Sequence, residues 1–192
     1  GASTACAGAP KPSSKLRIKT NKGETPMSDV SKDAGVIAVL AKRLVDELRL
    51  QDPGRSAEVV IEEGLVVKGD EPLLGVMMRN LLANAWKYTA ARTPARISFG
   101  SAALAGGELA VFQVSDNGAG FEMAHADKLF GLFQRLHSAK EYPGEGIGLA
   151  TAQRIVERHR GRIWAEGAPG AGATFYFSIP KAAPRPDQVI SS

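Results

Sequence analysis

The chain has 192 residues, 44% of them hydrophobic, and a formal net charge of +4, which together predict one compact domain with polar tails. The excess positive charge lies within residues 1–27, and the neutral remainder argues against a nucleic-acid-binding face on the folded part. The single cysteine, Cys6, excludes an internal disulfide or a cysteine metal site, and no apolar run reaches the roughly 20 residues that span a bilayer.

The N-terminal tail, residues 1–27, is rich in Gly, Ala, Pro, Ser, Thr and Lys, a composition that predicts disorder. It lacks the apolar segment of a signal peptide, and the chain begins with Gly1 rather than Met. We therefore expect an excised fragment with cloning-derived residues at its start, from a cytoplasmic domain without direct membrane insertion. The domain itself is predicted at residues 28–181, followed by a flexible tail at residues 182–192.

The predicted elements of the domain alternate between helices and hairpin strands. This pattern predicts an α+β sandwich of two layers, with a mixed, mostly antiparallel sheet covered on one face by helices. The first predicted element is a helix capped by Asp29 or Ser31, with Val36 and Val39 among its apolar positions. The elements that follow in chain order are strands at 57–61 and 65–67, a helix at 71–89, strands at 95–99 and 108–115, an irregular stretch at 121–142, a helix at 149–159, and strands at 162–166 and 174–179.

The helix at 71–89 carries a polar stripe. Asn80, Asn84 and Lys87 fall within about 60° of arc on this helix, while its leucines and Trp86 point into a core. Amide oxygens can ligate Mg²⁺, and a lysine can bind phosphate oxygens. Taken alone, such a stripe is more typical of a solvated helix face.

A carboxylate directly follows the strand predicted at 108–115. Asp116 could accept a hydrogen bond from an exocyclic amine such as N6 of adenine, and Gly118 and Gly120 would let the backbone approach a flat base closely. An ordinary Asp-Asn-Gly turn has the same sequence, so this segment alone decides nothing.

Three glycines precede the helix that starts at Leu149. Gly144, Gly146 and Gly148 would leave backbone amides free for phosphate oxygens at the positive end of the helix dipole. The spacing is neither that of a P-loop nor that of a dinucleotide fold, and a flexible connector would look similar. Glu145 is unfavourable beside phosphates unless its side chain points to solvent.

Five segments occur in one order: NLLANAWKYT (80–89), DNGAG (116–120), FGLFQR (130–135), GEGIGL (144–149) and GAGATF (170–175). This order resembles the ATP-binding catalytic domain of sensor histidine kinases, with the Bergerat fold, over about residues 29–180. The runs FQRLHSAKEYPG and ERHRGRIWAEG resemble the phytochrome-related type, although Arg160-Gly161 stands where that type usually has two glycines.

The resemblance implies ATP and Mg²⁺ as ligands. Its implied contacts are Asn84 at the metal, Asn80 and Lys87 at the phosphates, Tyr88 near the nucleoside, Asp116 at adenine with Thr174 in support, and the glycines and Leu149 of the last glycine segment around the phosphates.

The resemblance also implies a lid over the nucleotide at about residues 130–142, where Arg135 or Lys140 could contact the γ-phosphate. We interpret Phe130 and Phe133 as anchors of this loop to the core.

A phosphate-accepting histidine of this family is followed by an acid on a long helix, and none of His125, His137 and His159 is followed by one. The resemblance therefore implies a separate histidine-containing dimerisation hairpin as partner, with a response regulator downstream. We expect no autophosphorylation without that hairpin, and we assign no catalytic base in this chain.

Three alternatives stay open. Gyrase-, MutL- and chaperone-type ATPases have a water-activating glutamate at the position of Asn80, which disfavours hydrolysis here. An anti-sigma serine kinase would share the pocket but generally lack the FGLFQR segment. A nucleotide-binding or protein-docking module without transfer activity gains some support from Glu145.

Overall fold

The computed structural model describes residues 34–102, 109–134, 142 and 145–181. The predicted tails at 1–27 and 182–192 lie outside these ranges, as do Arg135, Lys140 and Gly144. No helix in the described ranges combines the length and the apolar character needed to cross a membrane.

Helices and strands occur in the predicted order, with one additional strand at the start. The helices are α1 (Ile37–Gln51), α2 (Glu71–Tyr88) and α3 (Gly148–Arg158), with a 3₁₀ helix at Met123–Lys128. The strands are β1 (Ala34–Val36), β2 (Ala57–Ile61), β3 (Val66–Lys68), β4 (Ala95–Ser101), β5 (Leu109–Asp116), β6 (Ile163–Ala168) and β7 (Gly172–Pro180).

The N-terminal element departs from the prediction. The residue predicted to lie within the first helix, Val36, instead ends β1, which pairs antiparallel with β3 through Gly35 and Val67. The helix begins only at Ile37, and Val39, one of its predicted apolar positions, is 61% exposed. Pairing with a distant strand decides the structure here, which a local helical pattern cannot reveal.

The main sheet confirms the predicted architecture. Its five strands run in the order β2-β4-β5-β7-β6, and only the β2–β4 pair is parallel. The central helix α2 packs against both α1 and α3. The buried face of the sheet carries large apolar side chains, among them Ile97, Phe99, Phe112, Val114, Phe175 and Phe177.

Both ends of α2 are fixed by side chains. At the start, the carboxylate of Asp70 accepts a hydrogen bond from the amide of Leu73 at 3.0 Å. At the end, the buried hydroxyl of Thr89 donates to the carbonyl of Ala85 at 2.7 Å, and Arg55 donates to the same hydroxyl at 2.7 Å. The helix face that carries the polar stripe therefore has a defined orientation.

His159 joins α3 to the start of α2. Its Nδ1 lies 2.7 Å from the carbonyl of Ile155, and its Nε2 accepts a hydrogen bond from the amide of Asp70 at 3.0 Å. Since the ring is buried and both nitrogens have partners, this histidine is unsuited to accept a phosphoryl group. Its hydrogen bonds instead fix the position of α3 relative to the start of α2.

Candidate nucleotide-binding site

A cavity of about 260 Å³ lies between the second half of α2, the end of β5 and the start of α3. Its lining includes nine of the residues predicted for the site, which come from three separate segments of the sequence: Asn80, Asn84, Lys87, Tyr88, Asp116, Gly120, Gly146, Gly148 and Leu149.

Asp116 contributes a carboxylate to one end of this cavity. It is the last residue of β5 and is buried, and one oxygen of its carboxylate accepts a hydrogen bond from the amide of Gly118 at 2.8 Å. Burial raises the pKa of this carboxyl to about 6, while hydrogen bonds from the amides of Gly118 and Ala173 act in the opposite direction. At neutral pH the group is therefore a largely ionised acceptor facing a cavity.

The glycines after Asp116 have separate structural roles. Gly120 lines the cavity with φ of 65°, and a Cβ there would lie 1.9 Å from the carbonyl oxygen of Ala168. Gly118 is absent from the cavity lining and supports the site through its amide bond to Asp116. The loop can follow this path only because both positions lack a side chain.

Thr174 does not reach the predicted position beside Asp116. Along β7, Asp116 pairs with Ala173, whereas Thr174 pairs with Ser115, and the two hydroxyl oxygens of that second pair are 2.9 Å apart. Successive residues of a strand point to opposite faces, so the Thr174 side chain lies on the face away from the cavity. Because alternate residues of a strand share a face, counting two residues back from Phe175 would have identified Ala173 as the residue beside the acid.

The other end of the cavity combines the amide stripe of α2 with the glycine segment before α3. A Cβ at Gly148 would lie 3.0 Å from Oδ1 of Asn80, so the first residue of α3 packs directly against this amide. The preceding residue, Ile147, has no polar side chain with which to cap the helix. Backbone amides at the start of α3 are thus placed beside the cavity, as a phosphate site requires.

Lys87 lies against an aromatic side chain in this structure. Its Nζ is 4.3 Å from the ring centre of Tyr88, and the ring of Tyr142 lies 4.9 Å from the Tyr88 ring. Both Lys87 and Tyr88 line the cavity. The ammonium of Lys87 therefore brings a positive charge to the cavity lining, as the binding of an anionic ligand requires.

The donor set of the cavity suits a hard divalent cation that is held mostly by other ligands. Asn80 and Asn84 offer amide oxygens, which bind Mg²⁺, an ion that usually keeps several waters. Among the described residues, no cluster of three His, Cys, Asp or Glu side chains could hold a metal by itself. A bound cation here would depend on phosphate oxygens for its remaining ligands.

The segment after the 3₁₀ helix confirms only one of the two predicted aromatic anchors. Phe130 packs against the hydrophobic core, whereas Phe133 is 75% exposed and has a φ of 60°. The backbone of Phe133 is held instead, because its amide donates to the carbonyl of Gly146 at 3.0 Å.

The sequence reasoning missed the apolar walls of the cavity, which are formed by Phe121, Leu129, Ile147, Ala173 and Phe175. Only strand alternation around Phe175 gave a signal for any of them. Glu145 also lines the cavity while remaining exposed, which is the solvent-facing placement that an acid in a phosphate segment requires.

The sequence and the fold are similar to those of known proteins. Residues 69–183 match the family described as histidine kinase-, DNA gyrase B-, and HSP90-like ATPase. The chain is 34% identical over 165 residues to the phytochrome-like protein Cph1 of Synechocystis sp., covering 85% of this chain and 21% of Cph1. It thus spans about a fifth of the length of that relative.

Two solved structures share the fold. The catalytic domain of histidine kinase ThkA superposes with a TM-score of 0.64 at 22% identity, over 79% of this chain and 96% of that one. Full-length ShkA, solved in complex with AMPPNP, gives a TM-score of 0.65 at 23% identity over 81% of this chain and 32% of ShkA.

Proposed function

The chain belongs to the histidine kinase-, DNA gyrase B- and HSP90-like ATPases as a catalytic, ATP-binding domain of the sensor-kinase type, and we propose that it presents Mg-ATP to a histidine of a partner hairpin. The proposal is supported above all by one observation, the meeting of Asp116 with Asn80, Asn84 and Lys87 around a single cavity. A response regulator would be the downstream partner, and the domain would work in the cytoplasm.

Base recognition falls to the Asp116 end of the cavity in this proposal. The carboxylate accepts a hydrogen bond from the N6 amine of adenine, and the apolar walls, including Phe121 and Phe175, enclose the ring. Tyr88 lies near the nucleoside. Gly118 keeps the carboxylate in place by donating a hydrogen bond from its amide to Oδ1.

Phosphate binding falls to the opposite end. Lys87 and the amides at the start of α3, including those of Gly148 and Leu149, bind phosphate oxygens, and Asn84 ligates Mg²⁺ with Asn80 beside it. When bound, Mg²⁺ neutralises charge on the phosphates. Gly144 and the lid contacts Arg135 and Lys140 remain part of the proposal.

Transfer rather than hydrolysis follows from the side chain at position 80. Asn80 carries a neutral amide, which cannot take a proton from water as a glutamate could. The attacking nitrogen would belong to the partner's histidine, which forms the N–P bond as the bond from the γ-phosphorus to the bridging oxygen breaks and ADP leaves. The imidazole proton passes to an acid on the hairpin, so no base is needed in this chain.

Replacing Asn84 with Ala is expected to weaken ATP binding about tenfold or more in Mg²⁺, because one of few protein ligands to the metal is lost. Titration calorimetry with and without Mg²⁺ measures this. The wild type should lose affinity when Mg²⁺ is chelated, whereas Asn84→Ala should respond little to chelation. Arg79→Ala is a matched control on the same helix, since Arg79 pairs with Glu47 at the surface. Equal Mg²⁺-dependent binding by Asn84→Ala and wild type would remove Asn84 from the metal site.

The decisive test of the proposed reaction uses γ-labelled ATP and a histidine-containing dimerisation hairpin from the same kinase. We expect acid-labile label on the hairpin and negligible label on this chain alone, because the acceptor is on the partner. Replacing the hairpin histidine with Gln controls for other sites of labelling. Confirmed ATP binding without any label on the hairpin would favour a nucleotide-binding module that has no transfer activity.

A further inference from the structure

Arg92 connects two loops that the sequence motifs treat separately. It lies between α2 and β4, and its Nη2 donates hydrogen bonds to the carbonyls of Gly118 at 2.9 Å and Gly170 at 2.5 Å. One carbonyl belongs to the loop after Asp116, and the other to the turn between β6 and β7. Two carbonyl oxygens that converge on one point repel each other unless a donor lies between them, and a guanidinium provides a charged donor.

The loop that Arg92 holds is the one that fixes the Asp116 carboxylate. The amide of Gly118 donates to that carboxylate at 2.8 Å, so a displacement of the loop moves the donor. Two backbone bonds complete the connection, since Ala119 donates to the carbonyl of Tyr88 at 3.1 Å and Gly170 donates to that of Ala119 at 2.7 Å. Arg92 thus joins the end of α2, the loop after β5 and the β6–β7 turn around the acid.

We propose that Arg92 is a positioning residue that sets the base selectivity of the cavity. It does so by holding the loop after Asp116 through the carbonyl of Gly118, so that the Gly118 amide stays bonded to the Asp116 carboxylate. The inference deepens the proposed function and rests on it, because it takes Asp116 as the acceptor for an adenine amine. Arg92 itself is absent from the cavity lining, so it acts through the loop rather than on the nucleotide. Base selectivity depends on the direction of one hydrogen bond, and a small rotation of the carboxylate weakens that bond steeply.

The test compares ATP with inosine triphosphate, which has a carbonyl oxygen in place of the N6 amine and the same phosphates. Binding of each to wild type, Arg92→Ala and Arg96→Ala is measured by calorimetry in Mg²⁺. Arg96 is a matched control, because it is an exposed arginine on the adjoining strand that pairs with Glu58. We expect Arg92→Ala to lose about tenfold in affinity for ATP and less than about twofold for inosine triphosphate. Arg96→Ala should match the wild type with both nucleotides.

A purely structural role predicts a different result. Partial unfolding would lower the apparent affinities for both nucleotides by the same factor. An unchanged ratio of the two affinities in Arg92→Ala therefore overturns the proposal. A wild type that binds both nucleotides equally would instead contradict Asp116 as the adenine acceptor, which is a failure of the proposed function.

A second variant and a second measurement cover the case in which Arg92→Ala does not fold. Arg92→Gln keeps a neutral donor and is expected to lose part of the selectivity, whereas full wild-type selectivity in a folded Arg92→Gln counts against the proposal. Amide hydrogen exchange in that variant should accelerate at Ala119 and Gly170 and stay unchanged at Phe177 in the core of β7. Unchanged exchange at Ala119 and Gly170 would equally contradict it.

Discussion

Replacing Asp116 with Asn is expected to weaken ATP binding by about 100-fold or more while making the domain more stable above pH 6. The asparagine oxygen can still accept the amide of Gly118, and the second polar group of the side chain is then an NH₂ donor in place of an acceptor. A donor would then face the donor amine of adenine, so the hydrogen bond is replaced by a repulsion. Calorimetry with Mg-ATP measures the loss of affinity.

The gain in stability follows from the raised pKa of Asp116. Its carboxyl has a pKa of about 6 in the folded chain against an ordinary 3.8, because burial disfavours the charge. The folded state therefore binds the proton more tightly than the unfolded state. This contribution to stability is complete below about pH 4 and is lost as pH rises through 6, so the ionised carboxylate costs on the order of 3 kcal/mol at pH 8.

Asparagine removes the ionisation and with it this cost. Urea denaturation of Asp116→Asn should show a gain on the order of 2–3 kcal/mol at pH 8 that falls to about 1 kcal/mol at pH 4.5. Asp127→Asn, at an exposed position of the 3₁₀ helix, is the control and should change stability little at either pH. Unchanged ATP affinity in Asp116→Asn would remove the acid from base recognition, whatever the stability shows.

The same titration predicts how pH affects binding. Wild-type affinity for ATP should fall as pH drops from 7.5 through 6 to 5, because a protonated carboxyl at Asp116 is a weaker acceptor. Asp116→Asn should lack this dependence. The comparison separates Asp116 from other groups that titrate in this range, such as the phosphates of the nucleotide.

The helical half of the site could be predicted from the sequence because one helix period determines it. Asn80, Asn84 and Lys87 share a face of α2 whatever the rest of the chain does, and the structure places all three at one cavity. Glycine segments before a helix are similarly local signals. The mostly antiparallel sheet and its single covered face followed from the alternation of helices and hairpins, whereas the strand order was not predicted.

The residues whose positions were predicted wrongly, or not predicted at all, depend on contacts between segments that are distant in the sequence. Thr174 was placed beside the acid because its motif was read without its strand register, and one residue of register exchanges the two faces. Val36 joined β1 because β3 lies beside it. Phe133 is exposed because its backbone bond to Gly146 holds the loop without burying the ring.

Replacing Gly172 with Ala is expected to destabilise the domain by about 3–5 kcal/mol, because two penalties act together. The residue has a φ of 93°, and a Cβ there would lie 2.0 Å from the carbonyl oxygen of Asp116. That oxygen is backbone in a paired strand, so relief requires β5 and β7 to move apart.

Gly170 provides a control in the same turn. Its φ is 75°, but a Cβ there would meet no atom within 4 Å, so Gly170→Ala carries only the conformational cost of about 1 kcal/mol. Urea denaturation of the two variants separates crowding from backbone strain, and equal losses would mean that β5 and β7 yield easily at this point. Gly172→Ala should also lose ATP affinity beyond its loss of folded protein, since the strand ends that must separate are those that place Asp116 beside Ala173. Close backbone contact between these strands is thus a condition for both folding and base recognition.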